Sequence, residues 1–234
     1  MVQILGYTFG RLTAETLPPG RRVELAGRGT TFVYDQPGPP GAPTLVLLHG
    51  LGATGALNWF PSFGPLSQRF RVVAVDLRGH GRGIPAGRAY RLADCADDIA
   101  ALADALGVER VVPVGYSLGG PIAQLLWHRH RDRVDGMVLC ATSRNFSGTI
   151  VERCFYQGLG GAALALRLAG SFPPFRGAPA GDHVMEEQDL EGMRLPLWAF
   201  DELRRCNPLA MLAAAHALGR FSSHEWIGEV DVPA

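Results

Sequence analysis

The chain of 234 residues has no lysine: all 22 basic residues are arginine, and 22 acidic residues cancel them to a formal net charge of zero. A bias toward GC-rich codons accounts for the missing lysine and for the abundance of Gly, Ala and Pro alike. A neutral balance provides no basic face for nucleic acid and no excess charge for an acidic surface. Cysteine is sparse and scattered. Cys95, Cys140, Cys154 and Cys206 form no C-x-x-C pair, which excludes a disulfide framework or a zinc knuckle and reads as small apolar residues in a reducing compartment. Long apolar runs are also missing, since no stretch approaches the roughly 18 residues that span a bilayer. Near the start, Gly6, Tyr7, Thr8 and Gly10 interrupt the only apolar stretch, so no signal peptide is expected. Together these absences predict a soluble, cytoplasmic protein with no membrane or nucleic-acid partner.

What is present is a core: 47% of the residues are hydrophobic. After a weakly patterned residues 1–20, two short β-like runs at 22–25 and 31–34 flank Gly27 and Gly29 and predict an antiparallel hairpin. A Pro/Gly loop over 36–43 follows. Continuous apolar runs at 44–48, 71–75, 111–114 and 136–141 then alternate with helical patterns at 92–106 and 121–130. Alternating strands and helices predict a mostly parallel sheet with right-handed crossovers, an α/β fold with helices on both faces. Pro113 conflicts with a central strand, because it cannot donate to a ladder. Residues 146–228 lack strand signals and read as an apolar helical insertion, including 159–168 and 209–218, interrupted by Pro173, Pro174, Pro179 and Pro196.

The motif with the most chemistry is Gly115-Tyr116-Ser117-Leu118-Gly119, followed by Gly120, between a strand and a helix. A serine in such a sharp turn exposes its hydroxyl as a nucleophile, and the positions two before and two after it must stay small. The following helix aims its N-terminal dipole at any oxyanion formed there. A second motif, His49-Gly50-Leu51-Gly52, ends the first parallel strand. Acyl transfer needs two N–H donors on the developing oxyanion, and Leu51 and Leu118 are placed to supply them. His49 reads as a structural residue of its loop rather than a base. No cofactor and no metal is expected.

On these motifs, together with Asp76-Leu77-Arg78-Gly79-His80-Gly81, the chain resembles the serine α/β-hydrolases of esterase and lipase type over about residues 22–145. The resemblance implies that Ser117 is the nucleophile, that Leu51 and Leu118 line the oxyanion hole, and that His49, Gly50, Gly52, Gly115 and Gly119 support the two motifs. It implies a structural role for His80. It divides the chain into a core at 1–145, a helical cap at 146–228, and the start of a further core segment at 229–234. The family's acid and histidine follow later strands, and the resemblance puts both past Ala234, truncating the fold before its last two strands. In some relatives the acid follows the sixth strand, but Ala141-Thr142-Ser143-Arg144-Asn145 carries no carboxylate. His128, His130, His183, His216 and His224 read as surface or packing residues.

The expected activity is hydrolysis of a small-molecule carboxylic ester. Leu159, Leu164, Leu168, Trp198 and Phe200 suggest a hydrophobic acyl or aromatic substrate, although the same residues serve equally to pack the cap onto the sheet. The competing expectation is a truncated or pseudo-hydrolase that binds a ligand or a partner chain. A second copy, or a partner strand completing the sheet, then belongs among its partners.

Overall fold

The computed structural model describes residues 17–87, 89–169 and 195–234. Strands β1 (Gly20–Leu25) and β2 (Gly29–Gln36) form the expected hairpin, with Gly27 and Gly29 both at positive φ in the turn. Strands β3 (Thr44–Leu48) and β4 (Arg71–Val75) coincide with the two apolar runs, and β5 (Val112–Tyr116) and β6 (Val138–Cys140) follow. Among the described residues they make one six-stranded sheet in the order β1-β2-β4-β3-β5-β6. The β1–β2 and β2–β4 pairs are antiparallel and the rest parallel.

The sheet is covered on both faces, and side-chain alternation divides it cleanly. Val46 and Leu48 of β3, with Val73 and Val75 of β4, pack against α3 (Leu92–Ala105) and α4 (Gly119–Arg129) through Ile99, Leu102, Ile122, Leu126 and Trp127. Leu45 and Leu47, with Val72 and Ala74, face the other way onto Trp59 and Phe63 of the short helices α1 (Gly55–Trp59) and α2 (Phe63–Ser67). Helix α3 ends where its apolar stripe stops. Gly107 takes φ +64°, and the Val108 N–H turns back to Ala103 O at 2.9 Å.

Pro113 is accommodated by a gap in the ladder. The residues flanking β5 turn their amides toward the β6 side: Val111 N donates to Arg133 O and Ser117 N to Cys140 O. Pro113 shares that side. There the bridge at Val134 opposes Val111, and pairing resumes only at Val138, opposite Val114. The missing N–H falls within the interruption.

The helical region contains α5 (Ile150–Ala169), α6 (Leu195–Arg204) and α7 (Pro208–Gly219). The apolar stretches 159–168 and 209–218 fall within α5 and α7, whereas α6 is marked in the sequence only as part of the broad apolar insertion. Asn207 caps α7, its Oδ1 accepting from Leu209 N and Ala210 N, and Pro208 sits where no N–H is needed. Helices α5 and α7 cross at near contact, since a Cβ at Gly160 would overlap the His216 ring and one at Gly219 would overlap Tyr156. Trp198 of α6 is fully buried, edge-on to Phe60 with ring centroids 5.4 Å apart. It packs the helix onto the core, whereas Leu164, Leu168 and Phe200 are exposed. Among the described residues no helix is long and apolar enough to cross a membrane.

Helix α4 begins at Gly119, two residues earlier than the expected 121–130, because two glycines that read as turn residues are its first positions. A Cβ at Gly119 would overlap the Leu48 carbonyl at the end of β3, while one at Gly64 in α2 would meet open space. Gly119→Ala is therefore expected to lower stability by at least about 2 kcal/mol. Gly64→Ala should leave it unchanged or raise it by up to about 1 kcal/mol. Urea unfolding midpoints at constant slope measure both.

Candidate active site

Ser117 follows the last residue of β5 and precedes α4, with φ +50°. A non-glycine residue there is strained, and the surroundings hold it in place. Ser117 N donates to Cys140 O at 3.0 Å, Gly120 N donates to Ser117 O at 3.0 Å, and the Thr142 hydroxyl donates to Ser117 O at 2.8 Å. The small positions are required on both sides. A Cβ at Gly115 would overlap the Gly119 carbonyl, and one at Gly120 would overlap Thr142. Among the described residues, Ser117 Oγ makes no hydrogen bond to protein, and neither do the N–H groups of Leu51 and Leu118.

The loop after β3 is fixed from several directions. Gly50 N donates to Asn58 Oδ1 at 3.0 Å, and Gly52 takes φ +71° beside the Met211 sulfur of α7. Leu51 and Tyr116 flank the turn with about two-fifths of their surfaces exposed, at 39% and 41%. Asn58, Thr142 and Met211 escaped the sequence reading because nothing local marks a side chain that reaches another loop.

His49 is fully buried, and both ring nitrogens are engaged. Leu77 N donates to Nε2 at 3.0 Å, so the proton sits on Nδ1 and goes to Gly50 O at 2.8 Å. Burial, with a smaller effect of His80, lowers its pKa from 6.5 to about 3. His80 lies edge-on to His49 with ring centroids 5.2 Å apart, hydrogen-bonds Arg78 O through Nδ1, and is likewise held neutral by burial. The other described histidines are engaged elsewhere or exposed. His128 stacks on Trp226, His130 meets Asp97 at 2.9 Å, His216 meets Tyr156 O at 3.1 Å, and His224 is exposed. His183 lies outside the described residues. Among the described residues no three His, Cys, Asp or Glu side chains gather as metal ligands.

Asp76, at the end of β4, is 1% exposed and accepts from Gly55 N at 2.8 Å and Arg82 N at 2.9 Å. Burial raises its pKa from 3.8 to about 6 despite those bonds. The two buried ionisations have opposite signs. Between its unfolded value of 6.5 and its folded value of about 3, His49 binds a proton only when unfolded. Its contribution to stability is present above that window and is lost as pH falls, at about 1.4 kcal/mol per unit. Asp76 binds its proton only when folded between 3.8 and about 6, so its contribution grows as pH falls through that range. Asp76→Asn should therefore steepen the loss of stability below about pH 6. Urea unfolding of both proteins between about pH 7 and about pH 5 measures the difference.

The family model described as the alpha/beta hydrolase fold matches residues 43–157, about half of the chain. RutD of Yersinia enterocolitica, which carries the name of a carbamate hydrolase, is 39% identical over 120 residues, covering 50% of this chain and 42% of its own length. The chain thus spans less than half the length of the curated relatives it matches first. Solved structures share the fold, two of them as follows. A hydrolase from Pseudomonas aeruginosa PA01 superposes with a TM-score of 0.66 at 24% identity, covering 92% of this chain and 77% of the other. The esterase EaEST from Exiguobacterium antarcticum superposes with a TM-score of 0.66 at 21% identity, covering 91% and 78%. Sheet order, elbow, and matches in sequence and fold agree: the chain belongs to the α/β-hydrolase fold family.

Proposed function

We propose that this chain is a serine hydrolase that cleaves carboxylic esters through an acyl-enzyme on Ser117. One observation carries the reading: a serine at φ +50° with its hydroxyl unpaired, followed in the same turn by the unpaired Leu118 N–H and close to the loop of Gly50, which packs on Tyr116 and whose Leu51 N–H is also unpaired among the described residues. Unsatisfied donors beside a strained nucleophile are what an acyl-transfer site needs before substrate arrives. Ser117 Oγ bonds to the ester carbonyl carbon and gives its proton to a base. The carbonyl oxygen becomes an oxyanion held by Leu51 N–H and Leu118 N–H. Collapse breaks the bond to the leaving alcohol, which takes the proton. Water then attacks the acyl-enzyme, releasing the acid and restoring the Ser117 hydroxyl.

No hydrogen bond links Ser117 Oγ to an imidazole among the described residues, so in this reading the base lies outside them. The described helices of the 146–228 region, α5, α6 and α7, act as a cap over the site. The partly exposed Leu51 and Tyr116, with Met211 close by, support an ester with a hydrophobic acyl or aromatic group. The kinship with an esterase fold and with a relative named for carbamate hydrolysis supports carbonyl chemistry of this kind. Four thiols, all free, fit a cytoplasmic setting.

A second reading, a ligand-binding chain without turnover, is favoured by the same lack of an imidazole beside Ser117. A fluorophosphonate probe separates the two. The proposed hydrolase labels at Ser117, Ser117→Ala abolishes labelling, and turnover of p-nitrophenyl esters falls by at least about 10³-fold in that variant. Folded protein that takes no label overturns the hydrolase reading.

A further inference from the structure

A buried cluster of charges joins α6 to the loops around Ser117 and is not used by the chemistry above. Glu202 of α6 is 0% exposed. Its Oε2 accepts the Thr54 hydroxyl at 2.6 Å, and its Oε1 meets Arg82 Nη2 at 3.1 Å and Arg205 Nε at 3.2 Å. Arg82 is itself buried, and its backbone N–H holds Asp76, whose other oxygen accepts Gly55 N. Two carboxylates thus face two guanidiniums, with Glu202, Asp76 and Arg82 buried and Arg205 partly exposed at the edge of the group. Such a group is costly to bury, and it holds together only while every member stays in place.

The contacts on the loop after β3 fall in one short stretch. Cys206, just past α6, points its Sγ at Ala53 O at 3.4 Å. Glu202 takes the Thr54 hydroxyl, and Asp76 takes Gly55 N. Thr54 is also the N-cap of α1, its Oγ1 accepting from Leu57 N at 3.1 Å. That helix carries Asn58, which holds the Gly50 N–H, while His49 Nδ1 donates to Gly50 O, the carbonyl in the same peptide plane as the Leu51 N–H. Hydrogen bonds at both ends of the short helix α1 thus connect a helical-region carboxylate to the loop that presents the Leu51 N–H.

We propose that Glu202 is a positioning residue: through Thr54 it couples the seating of α6 to the geometry of the Leu51 oxyanion donor. The proposal rests on the hydrolase reading for the meaning of that donor, but the coupling itself is a property of the folded chain. When α6 lifts, Thr54 loses its acceptor, the start of α1 loosens, and the loop of residues 49–55 is no longer held.

The test is amide hydrogen exchange on the whole chain, comparing Glu202→Gln, Thr54→Val and Thr54→Ser with the unmodified protein. Glu202→Gln should speed exchange both in α6 and over residues 50–58 by about tenfold or more, as expected when a charge-assisted buried hydrogen bond is lost. Thr54→Val, which keeps shape but removes the hydroxyl, should reproduce the effect if Glu202→Gln folds poorly. Thr54→Ser should restore the slow exchange. The rate of fluorophosphonate labelling of Ser117 should fall with the first two variants and recover with the third. Faster exchange in α6 alone, with residues 50–58 unchanged in both Glu202→Gln and Thr54→Val, overturns the coupling. A chain that never labels sinks the hydrolase reading, while the exchange pattern still decides the coupling.

Discussion

How near α4 can come to the end of β3 is the steric limit on which this molecule is built. Gly119 lies against the Leu48 carbonyl and Gly120 against Thr142, with no room for a methyl group at either. That contact lets the chain leave β5, reverse within Ser117 at positive φ, and enter a helix immediately. A strained serine costs on the order of 1–3 kcal/mol, which only a rigid surround sustains. The surround is the sheet itself, whose central strands are buried on both faces.

Carboxylates hold the loops at the same end of the sheet. Asp98 on α3 accepts Arg28 Nε at 2.6 Å and both arms of Arg78 at 2.8 Å, tying the β1–β2 turn to the loop after β4. Asp76 holds the next stretch of that loop against the start of α1, and Glu202 brings in the helical region. Each ion carries a desolvation cost, visible in the raised pKa of Asp76. In exchange, loops that have little apolar surface of their own are placed by directional bonds rather than by packing. This suits a region where backbone N–H groups, rather than side chains, are the candidate chemical groups.

Much of this was legible in the sequence wherever the signal is local. The bounds of β3 and β4 follow from runs of apolar residues covered on both faces, and Gly107 marks the end of α3. The elbow is legible because its steric demand acts within five residues of chain. Local signals misjudge the ends of elements where glycine both begins a helix and makes a turn, as at Gly119, and β6 is shorter than its apolar run over 136–141. Long-range pairings are silent. Thr54 and Glu202 are 148 residues apart, and a glutamate in an apolar amphipathic helix reads as a solvated face until its partners are seen. Trp198, read as either pocket lining or packing, proves to be packing, because a sequence pattern does not say which neighbour an apolar side chain meets.

Pro113 has a consequence for how the sheet assembles. A slip of β5 by two residues would keep every side chain on its own face, so burial alone does not reject it. Such a slip would carry the proline out of the break between Val134 and Val138 and into the paired stretch, where a carbonyl would face a ring carbon instead of a donor. The residue that looks like a flaw in the strand thus acts as an alignment pin. It favours the register that delivers Ser117 to the edge of the loops rather than one turn of the pleat above or below them.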